Sequence, residues 1–142
     1  SSSILEMGST HKESSPESIY VGKEDVPIVT IDSIFEKYVG NNDVVFLKID
    51  VQGYEDFVLI GAKLNIKKIA AIKLELSLTS LYEGDKLYDF YFSKLETLGF
   101  DIYDLEPGHR HPNGRLLQFD AIHVKKGDKY KTVGIQDPKN TT

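Results

Sequence analysis

The sequence contains no cysteine, which excludes disulfide bonds, thiolate nucleophiles and metal sites built on cysteine. It has no apolar run near the ~20 residues that a membrane-spanning helix needs. It also has no N-terminal signal in which basic residues precede an apolar stretch. Basic residues are the minority, 17 against 22 acidic residues, which argues against broad nucleic-acid binding because that requires a basic surface. We therefore expect a cytoplasmic protein that neither spans a membrane nor binds nucleic acid.

The 142 residues are enough for one ordinary domain with a hydrophobic core. The composition, 40% hydrophobic and 27% charged, is typical of a globular protein. Residues 1–18 are polar and serine-rich, which predicts an irregular segment, and residues 127–142 predict a polar tail. The folded domain is therefore expected over residues 19–126. Because the chain opens on Ser1 without an initiator methionine, we interpret it as part of a longer protein.

Two short segments precede the main sheet. Residues 26–31 are apolar and β-branched but contain Pro27, which predicts an extended segment that is not a central strand. Ser33 and Glu36 fit a capping box at the start of a short helix. Gly40 is expected to end that helix in the left-handed conformation.

The remaining hydrophobic pattern predicts an α/β fold. The strand–helix alternation indicates parallel strands with right-handed crossovers, whereas the final two strands, joined without a helix, are expected to be antiparallel. The first two strands are expected to be buried, the second on both faces because its apolar run is nearly continuous. The predicted elements are strands over residues 44–50, 69–76, 100–105 and 116–124, a helix over residues 54–62, and a helix capped by Asp85 that ends at Gly99.

The most informative stretch is residues 46–55, where an apolar run ends at Asp50 and gives way to glycine and an acidic, amphipathic segment. In open α/β sheets the ligand crevice lies outside the C-terminal ends of the strands, so Asp50 is well placed to meet a ligand. Glu55, in the first turn of the next helix, and Glu75, near the end of the next strand, are expected to reach the same crevice. Structural alternatives stay open: Asp50 as a helix cap, Glu55 as a partner of the helix dipole, and Glu75 as a buried group that requires a partner.

Several motifs together resemble the FkbM-type family of S-adenosylmethionine-dependent methyltransferases. The resemblance implies the C-terminal part of a Rossmann-like methyltransferase fold, S-adenosylmethionine as cofactor, and methyl transfer to a hydroxyl of a sugar, lipid or secondary metabolite. For such a reaction Asp50 and Glu75 are the candidate catalytic residues, Asp50, Gln52 and Gly53 would bind the cofactor, and Glu55 would bind the substrate. The motifs are VTID at residues 29–32, LKIDVQGYE at 47–55 followed by VLIGA at 58–62, IKLE at 72–75, LGF at 98–100 and FDA at 119–121.

One feature of such enzymes is missing, because no G-x-G stands near the start of the chain to form the glycine-rich cofactor turn. Two alternatives therefore stay open: a non-catalytic α/β module that binds a partner, and half of another Rossmann-like enzyme such as a nucleotide-sugar dehydrogenase. The terminal strand pair counts against the second. No metal is expected, since His109 and His111 are two histidines in a loop without a third ligand. A sheet without its first strands would expose the edge of residues 44–49, which predicts self-association or a strand-swapped homodimer.

Overall fold

The fold is given by a computed structural model, which describes residue 22 and residues 24–81 and 84–127. The segment predicted over residues 1–18 lies outside the described residues, as does the tail beyond residue 127. Within the described ranges, no helix is long and apolar enough to cross a membrane. In chain order the elements are α1 (Ile31–Tyr38), β1 (Val45–Ile49), α2 (Glu55–Gly61), a 3-10 turn (Ile66–Lys68), β2 (Ile69–Ser77), α3 (Tyr88–Thr97), β3 (Phe100–Pro107) and β4 (Gln118–Lys125).

The strands form one four-stranded mixed sheet in the order β1-β2-β4-β3. β1 and β2 are parallel, whereas β4 runs antiparallel to both of its neighbours, β2 and β3. The predicted antiparallel pair at the C-terminus is therefore confirmed, and the mixed α/β sheet is consistent with the predicted partial Rossmann-like fold. β4, the last of the described strands, lies inside the sheet between β2 and β3.

The hydrophobic core lies against one face of this sheet. Side chains of β2 alternate, with Ile72, Leu74 and Leu76 fully buried and the residues between them half-buried. The expectation that β2 is covered on both faces is therefore wrong for the described part of the chain. The expected burial of β1 is also wrong on its second face, where Phe46 is 55% exposed and Lys48 is exposed as well. Among the described strands β1 lies at the edge of the sheet. The core is completed by Phe35, Ile49, Leu59, Ala62, Ile66, Ile69, Tyr91, Leu95, Phe100, Phe119 and Ala121.

The start of α1 differs from the predicted capping box. Thr30 is the N-cap, and its hydroxyl oxygen accepts the backbone N–H of Ser33 at 3.1 Å. The hydroxyl of Ser33 donates in turn to the Thr30 carbonyl oxygen at 2.8 Å. Glu36 points into solvent instead of reaching back to the helix start. The helix therefore begins one turn earlier than the sequence predicts, because Thr30 supplies the capping oxygen.

Of the other predicted helix ends, those at Gly40 and Asp85 are also wrong. Gly40 is not left-handed, and its N–H donates at 2.8 Å to the carboxylate of Asp43, so a side chain closes this turn. Asp85 does not cap α3, which begins three residues later, but accepts the N–H of Leu81 at 3.0 Å. Gly99, by contrast, ends α3 in the left-handed region with φ 88°, as predicted.

A partly buried ion triad joins α2 to α3 and to the segment just before α3. The side chain of Asp56, in the first turn of α2, is 11% exposed and accepts hydrogen bonds from the ammonium groups of Lys86 and Lys94. Lys86 lies 2.6 Å from the carboxylate and also stacks over the ring of Phe90 at 4.0 Å. The triad fixes the start of α2 against α3, and so fixes the loop that precedes α2.

Candidate functional site

The loop between β1 and α2 has an unusual backbone. Gln52 and Gly53 both adopt positive φ angles, 54° and 96°. Glycine takes this conformation readily, but a non-glycine residue there is disfavoured by about 1–2 kcal/mol and persists only when its surroundings hold it. Glu55 provides such support, because its buried carboxylate accepts the N–H groups of Gly53 at 3.1 Å and Val51 at 3.4 Å.

The left-handed turn directs the Gln52 amide between two carboxylates. Its Nε2 donates to Asp50 Oδ1 at 2.9 Å and to Glu75 Oε2 at 2.8 Å. A second amide, Nε2 of Gln118 at the start of β4, donates to the same Glu75 oxygen at 3.1 Å. The structure thus brings together Asp50, Gln52 and Glu75 at the C-terminal ends of the two parallel strands. The predicted need of Glu75 for a partner is confirmed.

The two bridged carboxyl groups differ in acidity. The hydrogen bond from Gln52 lowers the pKa of Asp50, and the Lys48 ammonium 3.2 Å away lowers it further, against a weaker effect of burial. Burial raises the pKa of Glu75, and the charges of Asp50 and two other carboxylates add to this rise against the hydrogen bond from Gln52. Neighbouring carboxyl groups with pKa values pushed apart are the arrangement that general acid–base chemistry uses.

Asp50 and Glu55 differ in their relation to the start of α2. Among the described residues Asp50 takes its hydrogen bonds from the side chains of Lys48 and Gln52, so its predicted role as a cap of α2 is wrong. Glu55 does stand in the first turn of α2, where a carboxylate is favourable. Burial raises its pKa even though several backbone N–H groups oppose the rise.

A small polar cavity lies beside Glu75. Its volume is about 10 Å³, and its lining includes Gly53, Glu55, Glu75, Ser77, Tyr91 and Gln118. Sequence reasoning assigned Tyr91 to the helical core stripe, which is confirmed because the residue is 1% exposed, but it did not place the phenol at this cavity. Gln118 was not predicted as a site residue either, since only the register of β4 against β2 brings it to Glu75.

The histidine loop has a structural organisation of its own. The N–H of Asn113 donates to His111 Nδ1 at 3.2 Å, and the N–H of Gly114 donates to the His111 carbonyl oxygen at 2.8 Å. Over the described residues, no group of three or more potential metal ligands comes together. This loop is therefore organised by its own turn.

Comparison with known proteins identifies a family. A family model described as the methyltransferase FkbM domain matches residues 2–102 of the chain. The matched stretch includes β1, β2 and the loop between Asp50 and Glu55, but ends before β4. No curated protein and no solved structure matches the chain.

Proposed function

Because the chain belongs to the FkbM methyltransferase family, we propose that its strand-end crevice serves S-adenosylmethionine-dependent methyl transfer to a hydroxyl of a small molecule, such as a sugar, lipid or secondary metabolite. The observation that supports this is the Gln52 amide, which holds one carboxylate of low pKa and one of raised pKa side by side. That pair lies at the C-terminal ends of parallel strands, where α/β folds bind ligands.

Asp50, Gln52 and Gly53 are the residues that we propose for the cofactor. The Asp50 side chain is 41% exposed, and its lowered pKa keeps it ionised at neutral pH, so it can pair with an ammonium group. Gly53 has no side chain to block a close approach to the backbone. When bound, the cofactor supplies an electrophilic methyl group. These residues fit the amino-acid portion of the cofactor, and the sequence holds no G-x-G turn for the rest.

Glu75 is the residue that we propose as general base. Its raised pKa brings it closer to neutral pH, where a carboxylate accepts a hydroxyl proton most effectively. Two amide donors fix its orientation, so the proton acceptor is held in place before the acceptor arrives. Glu55 lines the same cavity and is proposed to contact the substrate.

The proposal is tested by calorimetric titration of the chain with S-adenosylmethionine. We expect Asp50→Asn to weaken binding about tenfold or more, because a hydrogen-bonded charge is lost. Asp104→Asn is the matched control, since Asp104 is exposed on β3. Absence of binding to the wild type at millimolar cofactor, or equal affinity of Asp50→Asn and the wild type, would contradict the assignment.

The role of Glu75 has a separate test. Glu75→Gln keeps an oxygen for the Gln52 and Gln118 amides but cannot take up a proton. We expect unchanged cofactor affinity and a kcat for methyl transfer lowered about 100-fold or more. A variant with wild-type kcat would remove Glu75 from the reaction.

A non-catalytic interaction module is the second candidate function. It is supported by the missing G-x-G turn and by the exposed edge strand β1 with Phe46. This function requires self-association or partner binding without cofactor binding. The calorimetric titration therefore discriminates between the two candidates.

A further inference from the structure

The phenol of Tyr91 is buried beside the small polar cavity. Tyr91 is 1% exposed and lines the cavity beside Glu75. Among the described residues, no group meets its hydroxyl with hydrogen-bond geometry. The backbone N–H of Asp56 is near enough to act on its pKa but does not meet that geometry. A buried hydroxyl that is left unpaired is costly, so this group points to a ligand.

The surroundings of the phenol keep its proton in place. Burial raises the pKa of Tyr91 far above its usual value, and the nearby carboxylates of Glu55, Asp56 and Asp85 raise it further. The phenol is therefore a neutral hydrogen-bond donor at physiological pH. The acidic neighbours also disfavour an anionic ligand. Lys86 lines the same cavity, but its charge is already paired with Asp56 at 2.6 Å and so does not offset them.

Glu75 supplies the complementary acceptor. Both amide donors, Gln52 and Gln118, bind its Oε2 atom. Its Oε1 atom accepts no hydrogen bond from a described residue. Among the polar side chains of the cavity wall, the Tyr91 phenol is therefore available as a donor and Oε1 of Glu75 as an acceptor. A hydroxyl oxygen, which both accepts and donates, matches this pair.

We propose that this cavity is a hydroxyl-binding site, in which Tyr91 donates a hydrogen bond to one ligand oxygen and that oxygen donates to Glu75. The volume of about 10 Å³ accommodates one oxygen-sized group and no larger one. A water molecule and the hydroxyl of a methyl acceptor share this chemistry. Binding of an acceptor hydroxyl rests on the proposed function, whereas binding of water does not.

The first test is a high-resolution crystal structure of the chain together with its Tyr91→Phe variant, which keeps the ring and removes the oxygen. We expect an ordered oxygen within ~3.2 Å of both the phenol and Glu75 in the wild type, and its loss in the variant. Tyr88→Phe, on the same helix but 36% exposed, should retain that oxygen. No oxygen in the wild type, or a direct bond from Tyr91 to a protein carboxylate, overturns the proposal.

The second test distinguishes the two sources of the oxygen. Crystals of the wild type and of Tyr91→Phe are soaked with glycerol, a small polyol used here as the probe. A glycerol hydroxyl at the water position in the wild type, and none in the variant, supports acceptor binding. Water that glycerol does not displace overturns acceptor binding and leaves a structural water site. Neither readout needs methyl transfer. A chain that does not bind the cofactor can therefore still bind glycerol at this cavity, and a chain that binds the cofactor can still fail to bind glycerol.

Discussion

The Asp56→Asn substitution tests how strongly the ion triad between α2 and α3 stabilises the fold. The change keeps the size of the side chain but removes the charge that Lys86 and Lys94 share. Removing one partner of a fully buried ion pair destabilises a protein by ~3–5 kcal/mol. Here the Lys86 and Lys94 side chains are 44% and 25% exposed, so solvent screens the two ammonium groups that remain. We therefore expect the free energy of unfolding to fall by about 2 kcal/mol.

The effect has a defined pH dependence. Burial alone would raise the pKa of Asp56, but the hydrogen bonds and charges of the two lysines outweigh it and bring the pKa below its usual 3.8. A carboxyl group whose pKa is lower in the folded state contributes stability above its unfolded pKa, and this contribution is lost as the pH falls through the folded pKa. The difference between wild type and Asp56→Asn should stay constant between about pH 5.5 and 8 and narrow below about pH 4.

The assay is urea unfolding followed by circular dichroism at several pH values. Asp101→Asn is the control, because Asp101 and Lys126 form an aspartate–lysine pair at 3.3 Å whose side chains are 60% and 44% exposed. An exposed pair of this kind contributes ~0.2–1 kcal/mol, so the control should lose little. Equal losses in the two variants, or a difference that does not narrow in acid, would refute the reasoning.

Three further outcomes are expected. His123 is 1% exposed, and burial lowers its pKa below 6.5. The wild type should therefore lose stability as the pH falls below 6.5, because there the unfolded chain takes up the proton more readily than the folded one. In urea titrations at several pH values, His123→Phe should lack this fall in the free energy of unfolding. Gly99→Ala should lower the free energy of unfolding by ~1 kcal/mol, because φ 88° disfavours a Cβ atom. If the chain self-associates through β1, as the exposed edge predicts, Phe46→Lys should shift its sedimentation toward monomer; a wild type that sediments as a monomer contradicts this.

Local signals predicted the core of the candidate site. Asp50, Gln52, Gly53 and Glu55 are contiguous in sequence, and a strand followed by glycine and a helix is enough to place them in one loop. Glu75 followed from parallel pairing, because the ends of neighbouring parallel strands meet at one edge of the sheet. The roles given to these residues stay predictions.

The parts that sequence reasoning missed depend on tertiary packing. Gln118 reaches Glu75 only through the register of β4 against β2, and the Tyr91 phenol reaches the cavity only through the docking of α3. The helix starts failed for a related reason. Thr30 and Ser33 are both good capping residues three positions apart, and local pattern alone does not decide which one begins the helix.

The position of β4 inside the sheet has a consequence for biosynthesis. β4 leaves the ribosome after the other three described strands, yet both β2 and β3 form hydrogen-bond ladders with it. Until residues 118–125 emerge, β3 has no neighbour among the described strands, and β1 is the one described partner of β2. Such pairings distant in sequence are slow to form, and unpaired strands in the nascent chain invite aggregation. The sheet should therefore assemble only after β4 has emerged rather than strand by strand, and chains that stop before Gln118 should be insoluble.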